Sequence, residues 1–273
     1  MTPAMTPAMT PAAPAVLETR EAGFAYRGGR PVLEGVSVAV PAGRSLALVG
    51  ESGAGKTTLL RLLLGLARPT TGQVLFDGAP LVPRDRAFRR AVQPVFQDPY
   101  SSLDPRQRVA RIVSEPLRSL GLLSPGSRAA RRDEAGERVA EALRSVGLPA
   151  DAAGRYPHEF SGGQRQRIAI ARALVCRPRV LLADEPVSAL DVSTRARVVE
   201  LLAGLAESHA LTVVVVSHDL SVVAALCART AVIERGRVVE QGDTADVLGA
   251  PAHPYTRRLI DSVPRLSRAS RLR

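Results

Sequence analysis

Tryptophan is absent from this chain of 273 residues, and the aromatic residues together make up only 3% of it. Proteins that grip single strands of nucleic acid interleave basic side chains with stacking aromatics. Here the arginines are scattered without such partners, so the net charge of +11 does not point to nucleic acid, and none is expected as a partner. Cysteine is almost missing as well, with only Cys176 and Cys227. Their separation matches no ligand spacing, which excludes a disulfide framework or a zinc or iron–sulfur site from the expectations and suits a reduced cytoplasm. No apolar run approaches the roughly 20 residues that cross a bilayer. The opening Met1-Thr2-Pro3-Ala4 has neither the charged nor the apolar region of a signal peptide. A globular chain that neither spans a membrane nor is exported is expected, with 45% hydrophobic residues to build its core.

The most telling scarcity is lysine. Among 37 basic residues Lys56 is the only one, and every other is arginine. A composition so skewed would have replaced a lysine that served only as a positive charge. Lys56 lies in Gly50-Glu51-Ser52-Gly53-Ala54-Gly55-Lys56-Thr57, followed by Thr58, which fits the phosphate-binding pattern G-x-x-x-x-G-K-[ST]. A compact ammonium on a flexible stem can fold over such a loop to reach the β- and γ-phosphates, where a broad guanidinium cannot. The flanking residues agree: Arg44 to Val49 reads as a buried strand and Thr57 to Leu66 as an apolar helix. Glycines turn N–H groups inward around phosphate, the helix N-terminus adds partial positive charge, and Thr57 offers a hydroxyl to Mg²⁺.

Residues 1–15 repeat Met-Thr-Pro-Ala three times and read as a disordered tail. Val16 to Tyr26, Val36 to Val40 and Ser45 to Val49 read as strands, implying an antiparallel layer beside the loop. Turns are expected at Pro41-Ala42-Gly43, Thr70-Thr71-Gly72 and Asp77-Gly78, with a strand from Gln73 to Phe76. Helical character dominates from about residue 98 to 175, with Val139, Leu143 and Val146 at helical spacing. Strands at 180–183, 211–216, 231–233 and 238–239 then alternate with helices around 194–207 and after Asp219, the pattern of a parallel sheet flanked by helices. Arg265, Arg268, Arg271 and Arg273 read as a solvated basic tail over 261–273.

Val180-Leu181-Leu182-Ala183-Asp184-Glu185 is an apolar strand delivering two acids at its carboxyl end, where α/β sheets place ligands. Beside a phosphate loop, Asp184 is suited to hold Mg²⁺ and Glu185 to orient and polarise the attacking water. Ser161-Gly162-Gly163-Gln164, opening a helix, forms a second terminus fit for an anion. In its context, Phe160-Ser161-Gly162-Gly163-Gln164-Arg165-Gln166-Arg167, it resembles the signature motif of ATP-binding cassette (ABC) ATPases, with Phe160 in place of the usual leucine.

The resemblance covers roughly residues 16 to 260 and implies a P-loop α/β core, an antiparallel β layer and a helical subdomain over about 98–175. It implies ATP and Mg²⁺ as cofactors, with Ser161, Gly162, Gly163 and Gln164 meeting the ATP of a partner subunit. Gln97 resembles the Q-loop glutamine that touches Mg²⁺ and the membrane subunit. Ser188-Ala189-Leu190-Asp191 resembles the D-loop, and His218 the switch histidine at the γ-phosphate. Tyr26 matches the aromatic on which adenine stacks, with Phe24 as the alternative. The stretch from Phe96 to Arg106 and His253-Pro254-Tyr255-Thr256 look like the peptide and nickel importer branch. That branch implies a dimer with itself or a paralogous subunit, two membrane permeases and an extracellular solute-binding protein, on the cytoplasmic face of the membrane. Peptide is the first expectation for cargo and nickel the alternative; the rival from another class is an ABC ATPase acting on nucleic acid or ribosomes.

Overall fold

A computed structural model describes residues 14–262. The Met-Thr-Pro-Ala repeat through residue 13 and the arginine-rich end from residue 263, both expected to be tails, lie outside the described residues. In chain order, β1 (Ala15–Ala25), β2 (Pro31–Pro41) and β3 (Leu46–Val49) lead into α1 (Lys56–Leu63). Next come β4 (Thr71–Phe76), β5 (Ala79–Pro80), α2 (Arg86–Ala91) and β6 (Val92–Val95). A helical stretch follows, with α3 (Pro99–Ser102), α4 (Val109–Val113), α5 (Glu115–Ser119), α6 (Arg128–Ser145) and α7 (Gly162–Leu174). The remainder alternates: β7 (Val180–Asp184), α8 (Val192–Ser208), β8 (Thr212–Val216), α9 (Leu220–Leu226), β9 (Arg229–Glu234), β10 (Arg237–Asp243), α10 (Thr244–Gly249) and α11 (Pro254–Asp261).

Two sheets result. An antiparallel sheet has the order β2-β1-β4-β5, and a six-stranded sheet the order β10-β9-β3-β8-β7-β6. Within the second sheet the strands from β9 to β6 run parallel, and β10 is an antiparallel edge. Strands β3 and β8 are buried along their whole length, as expected of a parallel sheet covered on both faces. Their side chains alternate between two cores. Leu46, Leu48, Val180, Leu182, Val214 and Val216 join α1 and the antiparallel sheet, whereas Ala47, Val49, Leu181, Ala183, Val213 and Val215 join the helices α4 to α9.

One strand is added to the expected set and two local expectations are corrected. Strand β6 was not among the expected strands; it is the sheet edge, paired only with β7, where the N–H that Pro94 lacks is tolerated. The turn expected at Thr70-Thr71-Gly72 is partly strand, since β4 starts at Thr71 and Gly72, at φ +67°, approaches β1 so closely that a Cβ would overlap the Glu21 carbonyl. Helix α1 ends at Leu63 rather than running to Leu66. Gly65, at φ +65°, turns the chain so that its N–H reaches Leu62 O at 3.0 Å and the Leu66 N–H reaches Arg61 O at 2.9 Å, a Schellman stop. No helix among the described residues is long and apolar enough to cross a membrane.

Two predictions follow from this packing. Leu182 is fully buried between two strands and α1, so Leu182→Ala should lower unfolding free energy by about 2–5 kcal/mol; a urea midpoint close to wild type would contradict a close-packed face. Burial pushes the Cys176 thiol up to about 11 and the Cys227 thiol up to about 12. Thiolates are the reactive form, so an aromatic disulfide reagent at about pH 8 should label neither cysteine in the native protein and both in denaturant; fast native labelling would contradict this burial.

Candidate active site

Sheet order turns residues scattered over the sequence into one row. Strands β3, β8, β7 and β6 are consecutive neighbours. Leu48 and Asp184 both pair with Val216, and Val95 pairs with Ala183. The segments leaving these strands are Gly50–Thr57, Ser217–His218, Asp184–Glu185 and the turn carrying Gln97, and they therefore emerge along one edge. Bonding continues past the strand ends, with the Ser217 N–H donating to Leu48 O at 3.2 Å and the Glu185 N–H to Val216 O at 3.0 Å.

The glycine-rich loop is shaped by its surroundings. A Cβ on Gly50 would overlap the Ile233 carbonyl oxygen, and Gly55, at φ +106°, sits against the Leu33 side chain where α1 begins. Gly236, in the turn between β9 and β10, donates its N–H to Ala54 O and accepts the Glu34 N–H, each at 2.9 Å. This ties the loop to both sheets. Lys56 is buried, and its Nζ donates to Gly50 O at 2.8 Å and Glu51 O at 2.7 Å. The lysine thus closes a ring around the loop and draws its carbonyls toward the ammonium. Burial pushes its pKa down, against the pull of Glu185, Asp184 and Glu51, which favour the charged form. With no acid in the first turn of α1, the positive end of that helix is not neutralised from within. Ser52 and Thr58 follow the loop's course, Ser52 exposed and Thr58 buried on α1.

Across the loop stand the acids. Thr57 Oγ1 donates to Asp184 Oδ1 at 3.3 Å, and burial raises the Asp184 pKa above the ordinary aspartate value. Glu185 holds a left-handed backbone, φ +43°, a strained conformation for a residue with a side chain. That turn presents its carboxylate to two partners: Oε1 lies 3.2 Å from His218 Nδ1, and Oε2 accepts from Gln97 Nε2 at 3.3 Å. Gln97 Nε2 also lies 3.5 Å from Ser188 Oγ. Hydroxyl, carboxylate and amide side chains supply an all-oxygen donor set, which suits a hard cation such as Mg²⁺.

The remaining candidates lie apart from this cluster. Ser161 caps α7, its Oγ accepting the Gln164 N–H at 3.4 Å while the Gln164 side chain accepts the Ser161 N–H at 3.0 Å. Gly162 faces Leu190, and Gly163 lies so near Thr194 that a Cβ would overlap it, so this helix start packs on the start of α8. Asp191 caps α8; the Thr194 N–H, at 2.9 Å, is the first cause holding its carboxyl well below the usual range. Helix α7 also grips the segment after Gln97: the Arg165 guanidinium covers the Tyr100 ring at 4.0 Å, and Arg172 donates to Ser102 O at 2.5 Å. Tyr26 is half exposed and meets Phe24 edge to face at 4.9 Å, whereas Phe24 packs on the core. The Arg61 guanidinium of α1 lies 3.4 Å from the Tyr26 hydroxyl.

Sequence reasoning missed three contributors. Ser188 was read only as part of the D-loop, Gly236 carried no motif, and Tyr255 was noted only as part of a branch-specific stretch. Ser188 and Tyr255 each lay in a motif, but nothing in either motif indicated the contact that the fold gives it.

Comparison with known proteins agrees with this geometry. The ABC transporter family model matches residues 33–188, and the model for the C-terminal region of oligopeptide/dipeptide transporters matches residues 239–273. A Brucella ovis protein named for peptide import and ATP binding is 47% identical over 237 residues, which are 85% of this chain and 73% of that one. A Brucella abortus protein named in the same way is 45% identical over 256 residues, 91% of this chain and 75% of that one. Among solved structures, cbiO1 of Clostridium perfringens, part of the cbiONQ ABC transporter complex, superposes with a TM-score of 0.76 at 29% identity, covering 92% of this chain and 96% of that chain. A dimeric ATP-binding cassette in a post-hydrolysis state with ADP and phosphate superposes with a TM-score of 0.71 at 31% identity, covering 84% and 98%. A phosphate loop and two acids set on one sheet edge, and a family match that spans both, lead to one conclusion: the chain belongs to the ABC transporter family of ATP-binding proteins.

Proposed function

We propose that this chain is the ATP-hydrolysing subunit of a peptide importer, residing at the cytoplasmic face of the membrane against permease subunits. The observation that carries the hydrolytic part is the double engagement of Glu185 by His218 and Gln97 beside the phosphate loop. Lys56 is assigned to the β- and γ-phosphates, together with the N–H groups of Gly53 to Thr58. Thr57, Asp184 and Gln97 would hold Mg²⁺, which when bound would supply neutralisation of phosphate charge. Glu185 orients the attacking water and takes up its proton, and His218 steadies the γ-phosphate. Tyr26, which is half exposed, is assigned to adenine in preference to the packed Phe24.

Ser161, Gly162, Gly163 and Gln164 are assigned to the ATP of the opposite subunit in a dimer, because Ser161 is exposed at the positive end of α7 and the cap bonds engage only the Ser161 and Gln164 N–H groups. Their packing on α8 lets dimer closure be felt at Asp191 and, through the Arg195 to Asp219 ion pair of 2.8 Å, at the segment bearing His218. We read residues 16–260 as the ATPase domain, with 98–175 as the subdomain that meets the permeases, and expect the partner ATPase to be a paralogue rather than a second copy. The match at residues 239–273 and the naming of the relatives favour peptide over nickel as cargo.

Glu185→Gln keeps the shape and removes the base, so phosphate release should fall by roughly 100-fold or more while ATP binding survives and closed dimer accumulates on sizing columns; wild-type turnover would remove Glu185 from its role. For cargo, the complex reconstituted with its permeases should show ATPase stimulation by its solute-binding protein loaded with peptide. Stimulation by a nickel complex and not by peptide would overturn the assignment.

A further inference from the structure

The C-terminal stretch His253-Pro254-Tyr255-Thr256 lies outside the cluster of Lys56, Asp184, Glu185 and His218, yet it is built to aim one side chain at the phosphate loop. His253 caps α11, its Nδ1 accepting the Tyr255 N–H at 3.2 Å, and Pro254 occupies the first helical turn, where its missing N–H has no helical partner to lose. The N–H groups of Ala252 and His253 donate to the two carboxylate oxygens of Glu240 on β10, at 2.8 and 3.0 Å. Arg257 straps the same turn by donating to Pro251 O and Ala252 O at 3.0 and 2.8 Å. Held in this way, the Tyr255 ring is buried with Val232 of β9 and Val247 of α10. Its hydroxyl accepts the N–H of Glu51 at 2.9 Å.

Glu51 is therefore held from both sides. Its N–H is bound by Tyr255 and its carbonyl oxygen by Lys56 Nζ. A phenol suits the first task, since a rigid ring carries an acceptor across the core with only two side-chain torsions to fix. Phenylalanine would fill the same space and leave the Glu51 N–H to turn toward water, shifting the loop's first turn and the carbonyl that anchors the lysine.

We propose that Tyr255 is a positioning residue for the phosphate loop, setting through Glu51 the loop shape that receives nucleotide, so that the C-terminal helix is part of the ATP site. This rests on the reading of Gly50–Thr58 as that site. Because the Tyr255 hydroxyl meets the Glu51 backbone and not the side chains of Asp184, Glu185 or His218, its loss acts on ATP affinity and leaves the chemical step alone.

The test is steady-state ATPase kinetics and calorimetric ATP binding on the full-length chain, comparing wild type, Tyr255→Phe and Glu240→Ala. Tyr255→Phe is expected to raise the ATP KM and Kd by about 3- to 10-fold, the range that one lost hydrogen bond corresponds to, with kcat within about twofold of wild type. Glu240→Ala, which frees the entry to α11 without touching Tyr255, should raise KM in the same direction by about two- to threefold, and it carries the test if Tyr255→Phe does not fold. Wild-type KM in both variants, even with a lowered melting temperature, would show that Tyr255 only packs and would overturn the proposal. A fall in kcat at unchanged KM would overturn it as well. Failure of the wild-type protein to bind ATP is a different result: it would overturn the reading of the site, and the role of Tyr255 with it.

Discussion

The parallel ladder β3-β8-β7-β6 is the constraint on which the rest of the structure depends. Its hydrogen bonds set Leu48, Val216 and Asp184 at one level; Gly50, His218 and Glu185 follow within two residues, and the loop brings Thr57 back to Asp184. A slip of one residue along β7 would exchange the faces of Leu181 and Leu182, placing each in the wrong core, and would turn Asp184 away from Thr57. The apolar alternation that closes the two cores thus also fixes the distance between the phosphate loop and its acids. Packing and catalysis share one register.

Within that frame the lone lysine balances opposed effects. Burial disfavours its charge, while two loop carbonyls and three nearby acids favour it. The bonds to Gly50 O and Glu51 O give the ammonium partners and hold the first turn of the loop in shape. Arginine, abundant elsewhere in the chain, serves a different purpose: it binds surfaces together. Arg165 and Arg172 join α7 to the segment after Gln97, Arg195 joins α8 to the turn after β8, and Arg257 straps the start of α11. Planar multi-donor guanidinium groups suit such straps, and a compact ammonium suits the ring around the loop.

Motifs were legible where chemistry demands particular residues in a row. The phosphate loop, the Asp184-Glu185 pair and the capped Ser161 helix start each announced themselves within a few positions, and strands β7 and β8 did so by unbroken apolar runs. Elements whose residues conflict with their own propensity were not legible. Strand β6 contains Pro94 and survives only because it is an edge, and the strand at Thr71-Gly72 carries turn residues because β1 passes too close for a Cβ. Local preference gives way there to a neighbour that sequence proximity does not reveal.

Sequence by itself determined the type of site and most of its members, because phosphate and metal chemistry restrict which side chains can serve and local backbone needs restrict their spacing. Tertiary structure alone decided who meets whom: that both carboxylate oxygens of Glu185 are engaged, that Gly236 braces Ala54, and that a tyrosine 204 positions away holds Glu51. Such pairings arise from the order and register of strands, which depend on the packing of the whole chain and leave no mark at either partner's place in the sequence.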